Sequence, residues 1–120
     1  MSTDSYPQLT QTVSSRLSSL RSSTPEVMKA FNALGAAATA PGALDGKTKE
    51  LIAMALSVAV RCDPCIGFHA KALVKLGATR QELDETLGVA TYMGGGPSLM
   101  YAASAVAAFD EFSAQAAAPR

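Results

Sequence analysis

No stretch of this 120-residue sequence alternates apolar and polar residues as a half-buried strand requires. Apolar residues instead recur three and four apart, and alanine is the commonest residue, so the pattern predicts helices throughout. Leu9, Val13, Leu17 and Leu20 share one face of a first helix starting near Pro7. Thr24-Pro25-Glu26 opens a second, with Thr as cap and Pro in its first turn. Val27, Phe31 and Leu34 are its expected inner stripe, with Met28 beside it, and Pro41-Gly42 closes it.

Asp45-Gly46 reads as a turn before a third helix from about Lys47 to Val60. Its Leu51, Ile52, Met54, Ala55 and Val58 wrap widely, which predicts a central, buried position. Asp63-Pro64 reads as cap and first residue of a fourth helix ending near Leu76, with Gly77 in the left-handed position beyond it. Thr79 and Glu82 form a capping-box pattern for a fifth helix with Leu83, Leu87 and Ala90 inward. Gly94-Gly95-Gly96-Pro97 breaks it, a sixth helix runs from Ser98 to about Ala114, and Ala116 to Arg120 is expected to fray. These elements predict one all-α domain over residues 1–120, orthogonal or bundle-like, of about six helices. Several helices are apolar over more than one face, which predicts a homo-oligomer.

Ten basic residues balance ten acidic ones, so the basic excess of a nucleic-acid binder is missing. The longest apolar stretch, Leu51 to Val60, falls short of the roughly 20 residues that cross a bilayer. The N-terminus lacks the basic patch and apolar run of a secretory signal. Its serine-rich stretch, with Arg16 and Arg21 against Asp4, faintly resembles a transit peptide, but the Leu and Val spacing assigns it to the fold. The expectation is a soluble, cytoplasmic domain with no nucleic-acid or membrane partner. Two cysteines in such a chain point to chemistry rather than to a structural framework.

That chemistry concentrates in Cys62-Asp63-Pro64-Cys65-Ile66-Gly67-Phe68-His69. With Asp63 as cap, Cys65 falls in the first turn, where free N–H groups and the helix dipole favour a thiolate. His69 follows one turn later on the same face. Cys62 stands at the spacing that lets two cysteines close a reversible disulfide. Glu50, near the start of the third helix, precedes Cys62 by twelve positions. It reaches the cysteines only if the helices cross steeply or if a neighbouring subunit supplies it. Zinc held by Cys62, Cys65, His69 and Glu50 is the rival reading, and inert buried thiols the bland one. Ile66 occupies the position where c-type haem attachment needs histidine. The triple glycine follows no strand and precedes no Lys-Ser/Thr, so it is a helix break rather than a phosphate cradle. Tyr92 and Tyr101 bracket that break as packing residues or as the lining of a pocket.

Glu50-x11-Cys62-x2-Cys65-x3-His69 resembles the signature of the alkyl hydroperoxidase D-like branch of the carboxymuconolactone decarboxylase-like family. The resemblance runs from about Leu44 to Phe112, through the Gly77-Ala78-Thr79 turn and the glycine break. It implies an all-α fold assembling into homotrimers or homohexamers, and a thiol-dependent antioxidant activity on hydroperoxides without metal or haem cofactor. It implies that Cys65 is the peroxidatic cysteine, Cys62 the resolving cysteine, and His69 with Glu50 the proton relay. A lipoylated or thioredoxin-like protein would serve as the dithiol reductant. One position departs from the pattern: peroxidases of the family carry a second histidine just before the second cysteine, where this chain has Pro64. That departure keeps a protein disulfide reductase or exchange factor as the alternative within redox chemistry. A non-catalytic, zinc-binding oligomeric module is the alternative outside it. The family's decarboxylase branch lacks the cysteine pair, so lactone decarboxylation is not expected.

Overall fold

The computed structural model describes residues 5–119; Asp4 and Arg120, which entered the sequence reading, lie outside the described residues. Six helices follow one another, and no strand occurs among the described residues: α1 Tyr6–Ser23, α2 Pro25–Thr39, α3 Gly46–Ala59, α4 Asp63–Lys75, α5 Arg80–Gly94 and α6 Gly96–Ala117. Thr24 stands at the N-cap of α2 as expected, but its hydroxyl donates back to Leu20 O at 2.9 Å and caps no N–H of α2. Side-chain oxygens cap three other starts. Ser5 and Gln8 make a capping box at α1, and Thr79 and Glu82 make the expected one at α5. Asp45 is more than a turn residue, because its carboxylate accepts the Thr48 N–H at 2.7 Å and starts α3 at Gly46. Gly77, at φ +77°, ends α4 in a Schellman motif: Ala78 N–H reaches Leu73 O and Gly77 N–H reaches Val74 O. Gly95, at φ +76°, is the single residue between α5 and α6. The sixth helix therefore begins earlier and ends later than the sequence suggested, with Pro97 tolerated in its first turn.

α6 packs against α4 and α5, and α3 packs against α4, α5 and α6. Met54 and Val58 of α3, Ile66 and Leu73 of α4, and Leu83 of α5 are fully buried between them. Each such side chain contributes on the order of 1.5–3 kcal/mol by leaving water. The central place expected for α3 holds, although Ile52 and Leu56 face outward. α1 lies across α4 and α6. Gly67 makes this approach possible: a Cβ there would sit 2.7 Å from Thr10 Cγ2 and 3.3 Å from Tyr6 Cδ1.

The expected inner stripe of α2 is not internal. Val27, Phe31 and Leu34 are 65%, 68% and 64% exposed, and α2 buries no residue. Among the described residues α2 touches only α1 and α3. Its apolar face is real, but nothing among the described residues covers it.

Candidate active site

The site is built where α3 hands over to α4. Arg61 is the only non-glycine with positive φ among the described residues, at 60°. It takes the left-handed position of a second Schellman motif, with Arg61 N–H bonded to Val58 O at 3.2 Å and Cys62 N–H to Ser57 O at 3.0 Å. Cys62 thereby ends α3 and begins α4, and it, not Asp63, is the N-cap. Asp63 moves inward to the first helical position because the sharp exit from α3 already supplies an extended residue at Cys62. Cys65 stays in the first turn, as expected.

Cys62 and Cys65 are joined as a disulfide, with Cα atoms 5.2 Å apart. Both are half-buried, and the Cys65 N–H points at Cys62 Sγ from 3.2 Å. One N–H of the helix start, that of Cys65, thus faces the sulfur pair, an arrangement that favours negative charge on sulfur.

Further along α4, His69 Nδ1 lies 2.6 Å from Glu50 Oε2. Their side chains are 32% and 13% exposed. A carboxylate only accepts, so Nδ1 carries the hydrogen of this bond and Nε2 stays free of it. Glu50 therefore reaches the site within its own chain, through His69 rather than by touching a cysteine. Packing α3 against α4 is enough, because His69 stands far enough down α4 to meet it. Lys47 helps fix this end of α3 by pairing with Glu82 of α5 at 2.7 Å. No hydrogen bond joins His69 to either sulfur among the described residues. The four residues form two linked pairs, not a ligand shell: with the sulfurs bonded to each other, no three of His, Cys, Asp or Glu converge as metal ligands among the described residues.

Sequence reasoning missed Tyr6. Its phenol, from α1, donates to Asp63 Oδ1 at 3.1 Å, and its backbone N–H donates to Glu111 Oε1 of α6 at 2.8 Å. Burial pushes the phenol's pKa up, with the neighbouring Asp63 and Glu111 adding to it and Ser104 opposing it. No local pattern could have found a partner 57 residues away. A cavity of about 280 Å³ lies beside Asp63, lined also by Met100, Tyr101 and Ser104. Tyr101 is thus a lining residue, whereas Tyr92 is 84% exposed and does not line this cavity.

The fold and site define an all-helical domain with a disulfide-bonded CxxC at a helix start and a Glu–His pair behind it. The model of the Carboxymuconolactone decarboxylase family matches residues 25–108, and the chain belongs to that family. It is 41% identical over 114 residues to an uncharacterized protein of Cupriavidus necator, covering 95% of this chain and 100% of that one. A carboxymuconolactone decarboxylase family protein of Legionella pneumophila, seen in its apo crystal structure, is 60% identical with a TM-score of 0.88, over 90% of this chain and 96% of that one. Another, from Thermotoga maritima, has been suggested to take part in the antioxidative response. It is 36% identical with a TM-score of 0.69, over 74% of this chain and 92% of that one. The family match begins at Pro25, so α1, which carries Tyr6, precedes it.

Proposed function

We propose that the protein is a thiol-dependent peroxidase that reduces hydroperoxides with the Cys62/Cys65 pair. The observation that carries this reading is the disulfide at the start of α4, one turn before a histidine held by a buried-side glutamate. In the reduced protein, the Cys65 thiolate attacks the terminal oxygen of ROOH, the O–O bond breaks, and Cys65 becomes a sulfenic acid. His69, oriented by Glu50, takes the proton of the Cys65 thiol as the thiolate forms and passes it to the departing alkoxide, which leaves as alcohol. The Cys62 thiol then attacks the sulfenic sulfur, forming the disulfide and releasing water. An external dithiol, from a lipoylated or thioredoxin-like protein, takes up the oxidation and restores both thiols. The antioxidative role suggested for the Thermotoga maritima relative supports the same direction.

The uncovered α2 stripe, with Ile52 and Leu56 of α3 also exposed, supports assembly of copies into a homotrimer or homohexamer. No helix among the described residues is long and apolar enough to cross a membrane. A second reading, disulfide exchange with protein thiols, is favoured by Pro64 in the second position of α4, where it can move no proton.

Variants separate the roles. Cys65→Ser abolishes peroxide consumption, and Cys62→Ser permits one turnover and stops at sulfenic acid. Full activity in Cys65→Ser would reject the nucleophile assignment. Slow oxidation of the reduced wild-type protein by peroxide, with rapid exchange against protein disulfides, would select the second reading.

A further inference from the structure

We propose that Tyr6 is a positioning residue for the redox pair: its phenol holds the Asp63 carboxylate on the α1 and α6 side of the site and draws charge from it, so that the sulfurs keep the field of the α4 start. The inference rests on the redox reading of Cys62 and Cys65 and deepens it.

Asp63 stands between the two cysteines in the sequence and in the first turn of α4. A carboxylate there competes with a thiolate for the same positive end of the helix, and its charge opposes ionisation of either sulfur. Such a residue at a thiolate site needs its charge managed. Tyr6 supplies the donor at 3.1 Å, and three contacts fix Tyr6 itself. Its N–H is bonded to Glu111, its ring lies against Gly67, and Ser104 stands beside its hydroxyl. The charged groups facing the phenol are Asp63 from α4 and Glu111 from α6, and the first turn of α1 carries no acid. Burial and these two carboxylates keep the phenol protonated, so it remains a donor wherever the thiols titrate. A charge-assisted hydrogen bond of this kind is about twice as strong as a neutral one.

The test reads thiolate directly in the reduced protein, by its ultraviolet absorbance, and needs no peroxide. Tyr6→Phe keeps the ring against Gly67 and removes only the donor. It lowers the thiolate fraction at neutral pH about threefold, and Asp63→Asn raises it about fivefold, the size of one unit charge acting across several ångströms of partly screened protein. In the Asp63→Asn background, Tyr6→Phe has no further effect, because the charge it manages is gone. A Tyr6→Phe protein that melts earlier but keeps its thiolate fraction would overturn the proposal and leave Tyr6 a packing residue. So would an undiminished Tyr6→Phe effect in the Asp63→Asn background. If peroxide fails to oxidise the thiols while the thiolate shifts appear as stated, the peroxidase reading fails and this inference stands.

Discussion

Glu50 Oε2 lies 2.6 Å from His69 Nδ1 and joins α3 to α4 within a single chain. The contact settles the imidazole's tautomer and its orientation, the two properties a proton carrier needs. If His69 assists the thiol chemistry, His69→Ala slows oxidation of the reduced protein by peroxide about a hundredfold, the lower range of base assistance. Glu50→Gln retains a weaker hydrogen bond and slows it about tenfold. Combining the two costs no more than His69→Ala alone, since Glu50 acts through His69. Stopped-flow oxidation of the reduced variants measures all three. Additive losses would mean that Glu50 reaches the sulfur chemistry by another route.

Arg61 carries backbone strain at the residue before the redox pair, with φ 60° where a glycine would be at ease. Arg61→Gly raises stability by about 0.5–1 kcal/mol, the left-handed penalty relieved less the extra freedom of glycine when unfolded. Arg61→Val lowers stability, since a β-branched residue fits that region worst. Urea denaturation of oxidised protein distinguishes them. Equal stability of the two variants would show that the turn is not strained.

The handover at Arg61 and Cys62 also shows why part of the site was illegible in the sequence. Both capping partners at α5 lie within one turn, so Thr79 and Glu82 could be read locally. Asp63 looked the better cap than Cys62 by residue preference. What decided the matter was how α3 ends, and no glycine marked that ending. Val27, Phe31 and Leu34 were correctly placed on one face of α2, but periodicity names a face without naming what covers it. The pair Cys62/Cys65 and the offset to His69 were legible because one turn of helix holds them together. Glu50 meeting His69, and Tyr6 meeting Asp63, depend on how helices cross, which no local spacing records.

Gly67 lets α1 settle on α4, and a methyl group there meets Thr10 and the Tyr6 ring. Gly67→Ala costs about 1–3 kcal/mol by overpacking. The loss concentrates in α1, so hydrogen exchange accelerates there more than in α5. Uniform acceleration across the molecule would show that α1 does not depend on this contact.

Asp45 holds the start of the helix that carries Glu50. Its carboxyl lies below the ordinary carboxylate range because the Thr48 side chain and backbone N–H bond to it, with Lys47 nearby. A value lowered in the folded state adds stability above the unfolded value of about 3.9, and that stability is lost as pH falls through the lower folded value. Asp45→Ala therefore melts below wild type at neutral pH, and the gap closes in acid below about pH 4. A gap that persists unchanged in strong acid would contradict the cap's role.

The central claim is that Cys62 and Cys65 are a working redox pair oxidised by peroxide. Mass spectrometry of the fully reduced, metal-free protein, before and after one equivalent of hydroperoxide, tests it most directly. The account predicts rapid loss of two hydrogens' mass, mapped to a Cys62–Cys65 disulfide and reversed by a dithiol. Thiols that stay free under peroxide, in a protein that arrives with zinc bound before chelation, would contradict it.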